Sequence, residues 1–263
     1  MKYVVLVGAY GGMGKAVAKK LASDGYFIFA LDKKVGEAEE NILPIEIDLT
    51  DTESIERAYE QVCEVTHDVY AVLNFAGIYT AGSLVEMSEE KLVASYEINL
   101  FGAIRINRAF LPLLHQGSRI VITTSELAPL DPLPFTGIYA LTKSALDKYA
   151  YSLRMELQLL GISVTVVRPG AVDTGMLGAS TKALNEFCDE TKLYSSTAKR
   201  FLKIVDSVES RNIKPEKIGR LASKILRKKR PRYVYSINRN PLLLLLNILP
   251  DRLQNTIIKL ILK

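Results

Sequence analysis

Tyr3-Val4-Val5-Leu6-Val7-Gly8-Ala9-Tyr10-Gly11-Gly12-Met13-Gly14 opens the chain, and the reading of the fold turns on this stretch. Tyr3–Val7 is a short apolar run rich in β-branched valine, which reads as a buried strand. The glycines that follow let the backbone turn sharply. Beyond Gly14, Val17, Ala18 and Leu21 recur at helical spacing. A strand with no polar face, leading through a glycine turn into a helix, belongs in a parallel sheet covered on both sides.

The same alternation continues along the chain. Residues 26–31, 42–47, 69–73, 119–123 and 163–167 read as strands two to six, and residues 54–65, 89–114 and 139–160 as helices. Right-handed crossovers then build an α/β, doubly wound sandwich. Neither linker nor repeat divides the 263 residues, so a single domain is expected. Its core is put at about 1–180 and 211–238, with a helical lid over about 175–205 and a C-terminal extension over about 240–263. Residues 175–215 and 231–263 read as additions rather than as part of the sheet.

Bulk composition narrows the function classes. Hydrophobic residues make up 48% and charged residues 24%, as in a globular protein with a sizeable core. Cys63 and Cys188 form neither a disulfide framework nor a zinc set, and a reducing, cytoplasmic setting is expected. His67 and His115 lack nearby ligand partners, so no metal is expected. The N-terminus is broken by glycine too soon for a signal peptide. No stretch reaches the ~20 apolar residues of a spanning helix. Of 34 basic and 29 acidic residues, residues 211–263 hold 14 and 2, which makes this segment +12 and the remainder −7. Such a tail can seek a membrane surface or another anion, or can be a solvated helical face. No nucleic-acid partner is expected.

The glycine loop has the spacing G-x-x-x-G-x-G. Between a first strand and a first helix, such glycines let the backbone approach a pyrophosphate at the helix N-terminus. Asp32 closes the second strand, where a carboxylate can accept both ribose hydroxyls of NAD and repel the 2′-phosphate of NADP. Lys33 and Lys34 follow at once and oppose that preference. Asp48, after the third strand, could meet the adenine edge.

Tyr139-Ala140-Leu141-Thr142-Lys143 sets a phenol and an ammonium on one helical face. A cation there is expected to lower the Tyr139 pKa toward working pH. Thr123-Thr124-Ser125 ends the preceding strand and could bring hydroxyls to the same place.

With these motifs in order, the chain resembles the short-chain dehydrogenase/reductase family over about residues 1–180. The likeness rests on the glycine loop, Asp48, Asn74-Phe75-Ala76-Gly77, Asn99, Ser125, Tyr139, Lys143, and Pro169-Gly170-Ala171-Val172-Asp173-Thr174. It implies a Rossmann-like fold and hydride transfer between NAD(H), less readily NADP(H), and an alcohol or ketone. Tyr139 would exchange the proton with the substrate oxygen. Lys143 would hold the nicotinamide ribose, Ser125 the substrate oxygen, and Asn99 a proton-relaying water. Val172 and Thr174 would meet the carboxamide. Further cofactor contacts are implied at Gly8, Tyr10, Gly11, Gly12, Met13 and Gly14. Others are implied at Leu49, Asn74, Ala76, Gly77, Pro169 and Gly170.

Three positions depart from the family pattern. Val7 stands where threonine is usual, and Phe75 replaces the second asparagine of N-N-A-G. Ser125 lies 14 residues before Tyr139, one more than expected, so the loop with Pro129, Pro132 and Pro134 must absorb a residue; otherwise Thr124 takes the place of Ser125. A non-catalytic dinucleotide-binding regulator and an isomerase or dehydratase with bound NAD are the competing readings.

Substrate selection is expected after Thr174. Met176, Leu177, Leu184, Phe187 and Tyr194 offer apolar contacts, and Lys182, Lys192 and Lys199 offer charge; the alternative is plain helix packing. A lipophilic, steroid-like secondary alcohol or ketone would suit such a site. In the tail, Leu253, Ile257, Leu260 and Ile261 fall on one stripe. A homodimer or homotetramer contact, or a cover over the pocket, ranks ahead of peripheral membrane contact.

Overall fold

The computed structural model describes residues 1–263, the side chain of Glu209 excepted. Strands β1 (Lys2–Val7), β2 (Tyr26–Asp32), β3 (Ile42–Glu46), β4 (Val69–Asn74), β5 (Arg119–Thr123), β6 (Ser163–Pro169) and β7 (Val234–Ile237) form one parallel sheet in the order β3-β2-β1-β4-β5-β6-β7. The order reverses between β1 and β4. In such sheets ligands bind at the carboxyl ends beside that switch point, here at Gly8 and Asn74.

β1 shows why the strands carry no polar face. Val5 and Val7 pack on one side of the sheet, against α2 (Thr52–Cys63), α4 (Gly102–Phe110) and α5 (Gly137–Leu157). Val4 and Leu6 pack on the other, against α1 (Gly12–Ser23) and α8 (Glu216–Arg227). In α8, Ile218, Ala222, Ile225 and Leu226 are buried while Lys217, Arg220, Lys224 and Arg227 are exposed. That part of the basic tail is a solvated helical face.

Three features correct the sequence reading. First, residues 231–263 are not wholly additions: Val234–Ile237 form β7, paired along β6 from Val166↔Val234 to Pro169↔Ile237. A four-residue edge strand takes its conformation from its neighbour more than from its own pattern. Second, the helix expected over 89–114 divides into α3 (Glu89–Tyr96), a π-helical turn (Glu97–Phe101), α4 and a 3₁₀ turn (Leu111–Leu113). Third, α10 (Asp251–Leu262) docks by a different stripe from the one expected. Gln254 and Leu262 are buried, with Ile258 partly so, whereas Leu253, Leu260 and Ile261 are exposed.

α6 (Gly175–Glu190) and α7 (Ser195–Glu209) stand beside the sheet's carboxyl edge around a separate cluster of Phe135, Leu184, Phe187, Phe201 and Leu262. Leu184 and Phe187 are therefore packing residues. α9 (Pro241–Leu246) links β7 to α10. Among the described residues no helix is long and apolar enough to cross a membrane.

Candidate active site

The glycine loop is shaped by close approach. Gly8 has φ +79°, and a Cβ there would lie 2.5 Å from the Ala76 nitrogen. A Cβ on Gly14 would lie 1.9 Å from the Gly8 oxygen, and one on Gly12 2.5 Å from Thr174 Cβ. Gly11 precedes α1 and supplies no side-chain cap. The first N–H groups of α1 are thus left for an anion, with the positive end of the helix behind them. A cleft of about 850 Å³ opens there. Gly8 to Gly14 floor it, except Ala9; Asp32, Asp48 and Leu49 close one end, and Ala76, Gly77, Thr174 and Met176 border it elsewhere. Bare amides, a helix N-terminus and a cleft of this size fit a dinucleotide.

At the Asp32 end, both carboxylate oxygens accept backbone hydrogen bonds, Oδ2 from Tyr10 N and Oδ1 from Lys33 N, each at 2.8 Å. The Lys33 side chain turns away and donates to Asp48 Oδ2 at 2.7 Å. Lys33 and Thr50 hold the Asp48 carboxyl down at about 2.

Four expected residues, Asn99, Ser125, Tyr139 and Lys143, are buried behind the Gly77–Tyr79 wall of the cleft and do not line it. Asn99 sits in the π-helical turn, a distortion frequent at functional sites. Its Oδ1 accepts from Ile78 N at 2.8 Å, and its Nδ2 donates to Ile78 O and Thr142 Oγ1 at 2.9 and 3.2 Å. A Cβ on Gly77 would lie 3.1 Å from both Asn99 Oδ1 and Lys143 Nζ, so a side chain here would crowd both polar groups. Lys143 Nζ lies 5.8 Å from the centre of the Tyr139 ring and donates to Thr123 O at 3.4 Å. Ser125 neighbours the Tyr139 hydroxyl and favours its ionised form, while its Oγ accepts from Leu127 N at 3.2 Å.

Burial governs the titration of this pair. It pushes the Tyr139 phenol up to about 12, further than neighbouring Ser125 draws it down, and nearby Glu126 raises it too. Burial also lowers Lys143 to about 8. The expectation that Lys143 brings Tyr139 toward neutral pH is thus not met. The cost of removing either charge from water outweighs their mutual effect at this separation.

The extra residue between Ser125 and Tyr139 is absorbed in the loop. Phe135 takes φ +64° there, and its ring packs on Phe187, Tyr194 and Phe201. Thr124 is committed elsewhere: its Oγ1 donates to Asp147 Oδ1 at 3.3 Å, beside the two-pronged Arg168–Asp147 pair. Asn74 donates to Asn107 at 2.9 Å, away from the cleft. Pro169, Gly170 and Val172 do not line the cleft either. Gly170 is required by chain packing, since a Cβ there would lie 2.0 Å from Asn238 O. Sequence reasoning missed Tyr79, which lines the cleft and sets its ring 4.9 Å from that of Tyr139. Its signal was position alone, five residues beyond the end of β4.

Residues 2–185 match the short chain dehydrogenase family. The chain belongs to that family. As a short chain dehydrogenase it is an oxidoreductase, of a family that uses a nicotinamide dinucleotide. It is 27% identical to the 3-ketodihydrosphingosine reductase of Bacteroides thetaiotaomicron, over 87% of this chain and 84% of that one. It is 26% identical to the NADPH-dependent 3-dehydrocapnine reductase of Ornithobacterium rhinotracheale, over 98% and 96%. Among solved structures, an alcohol dehydrogenase from the archaeon Thermococcus sibiricus complexed with 5-hydroxy-NADP superposes with a TM-score of 0.74. The two are 26% identical, over 92% of this chain and 99% of that one.

Proposed function

We propose that this short chain dehydrogenase interconverts a ketone and a secondary alcohol on a lipophilic substrate, working as a reductase with NAD(H). The observation that carries the proposal is the grouping of Tyr139, Lys143 and Asn99 directly behind Gly77 and Tyr79, which border the cleft, with Ser125 beside Tyr139. The bound dinucleotide supplies or accepts the hydride. Tyr139, protonated at neutral pH with its phenol at about 12, gives its proton to the carbonyl oxygen in the reductive direction. Ser125 orients that oxygen. Lys143 binds the ribose and carries positive charge beside the phenol as it gives up its proton. Asn99, fixed by Ile78 and Thr142, holds the floor of the site in place for a relaying water.

The lipophilic reading is supported by the Tyr79 ring and Met176 at the cleft. It is also supported by two relatives named for reduction of a 3-keto or 3-dehydro compound. Residues 175–205 act as the lid over the substrate. NAD(H) preference is supported by Asp32 and by the engagement of Lys33 with Asp48. Assembly into a homodimer or homotetramer is supported by the exposed Phe101, Tyr151 and Met155 along the π turn and α5.

The test is stoichiometric. Incubated with NADH and 3-ketodihydrosphingosine or shorter 3-keto analogues, the protein should oxidise one NADH per alcohol formed. Substrate conversion without net NADH loss would identify an isomerase or dehydratase, and dinucleotide binding without conversion across the ketone series would identify a regulator.

A further inference from the structure

The C-terminal helix presents three different faces. Gln254, Ile258 and Leu262 recur every four residues and dock toward α7. Leu253, Leu260 and Ile261 occupy a neighbouring face and are exposed. Arg252, Lys259 and Lys263 fall on the remaining face. The segment before α10 continues the apolar surface: Leu242, Leu245 and Ile248 repeat every three residues and are exposed, Ile248 by 79%.

Two hydrogen bonds hold this segment against the loop that follows Ser125. Asn240 N donates to Glu126 Oε2 at 2.6 Å, and Asp131 N donates to Asn247 Oδ1 at 2.7 Å. The bare apolar surface is therefore anchored beside the substrate side of the molecule.

We propose that α9, the turn at 247–250 and α10 form a peripheral docking surface for an anionic lipid bilayer. Charge selects this occupant. Residues 239–263, which carry this surface, hold four basic residues (Arg239, Arg252, Lys259 and Lys263) against one acidic residue, Asp251, and an anionic surface attracts such a segment. A second copy seated two-fold on the same surface would bring two basic segments together. Composition agrees. Residues 241–263 contain no aromatic residue, although tight protein–protein contacts concentrate tyrosine, tryptophan and phenylalanine at their centres. Leucine and isoleucine tips flanked by arginine and lysine suit a helix lying in the lipid interface. Each half is too short to span, so the contact is superficial.

The full-length protein should float with vesicles of equimolar phosphatidylcholine and phosphatidylglycerol at least about tenfold more than with phosphatidylcholine alone, and molar salt should release it. The triple variant L245E/I248E/L260E should lose about tenfold or more of that binding while keeping the wild-type circular dichroism and NADH affinity. Exchanging Arg252, Lys259 and Lys263 for glutamine should weaken binding to the mixed vesicles by up to about fivefold per cation. Wild type that stays in the supernatant with mixed vesicles overturns the proposal, as does a triple variant that floats undiminished. A wild-type oligomer that the triple variant dissociates, with no flotation by wild type, would assign the surface to a second copy instead.

Discussion

Asp32 offers the sharpest perturbation of cofactor choice. Its carboxylate is held by two backbone N–H groups, from Tyr10 and Lys33, and faces the cleft. A 2′-phosphate on a ribose held by Asp32 would lie close to its charge, at a separation taken as about 5 Å. Two unit charges at that range repel by about 0.8 kcal/mol in water and about 3 kcal/mol at the effective dielectric of a protein rim. Lys33 does not cancel this, because its Nζ is bound to Asp48 Oδ2 at 2.7 Å, which leaves Lys34, also bordering the cleft, as the cation that could. At ~1.4 kcal/mol per decade, NAD(H) should be preferred by about tenfold or more. Asp32→Asn keeps an acceptor for one of the two N–H groups and removes the charge; Asp32→Ala removes both. Either should narrow the gap, chiefly by improving NADP(H). The assay is kcat/KM for each dinucleotide with one fixed ketone. Equal values in the wild type, or a preference for NADP(H), would show that Lys34 reaches the phosphate or that Lys33 leaves Asp48 for it, and would refute the reasoning.

Three further outcomes follow from the same geometry. Burial lowers Lys143 to about 8, so the folded state strains to hold its ammonium at pH 7, and Lys143→Met should raise stability by up to about 3 kcal/mol while reducing turnover sharply. Below pH 8 lysine is protonated folded and unfolded; between about 8 and 10.5 only the unfolded chain keeps the proton, so wild-type stability rises with pH and the advantage of methionine should fade there, which denaturant melts across pH 7–10.5 would show or contradict. Gly8→Ala combines a left-handed φ, about 1–2 kcal/mol, with overpacking against Ala76, about 1–3 kcal/mol; an unchanged urea midpoint would disprove the close approach of β1 and β4. Amide exchange over 175–205 should be faster than in the sheet and should slow when dinucleotide and ketone bind together, and equal strong protection in both conditions would remove the lid.

What could be read from the sequence was what local pattern controls. β1 to β6 are apolar on both faces, and Val4 to Val7 show why: neighbouring side chains enter opposite layers of the core. Tyr139 and Lys143 were legible because helical spacing alone brings them to one face. The π-helical turn was not. Glu97-Ile98-Asn99-Leu100-Phe101 contains no proline or glycine, and the distortion accompanies the bonds of Asn99 to Ile78 and Thr142. The choice between Thr124 and Ser125 depended on Asp147, a partner 23 residues away from Thr124. In α10, periodicity marked the apolar stripes without saying which would dock. The titration of Tyr139 and Lys143 likewise depended on how deeply the fold buries them.

The central claim is that Tyr139 moves the proton in a nicotinamide-dependent reduction. Tyr139→Phe keeps the ring that packs beside Tyr79 and removes only the hydroxyl. With NADH and a 3-keto substrate under saturating conditions, the account predicts that kcat falls by roughly 10²-fold or more, as for loss of general acid catalysis. NADH affinity and the melting transition should stay close to wild type. A purified Tyr139→Phe protein that turns over near the wild-type rate would contradict the account.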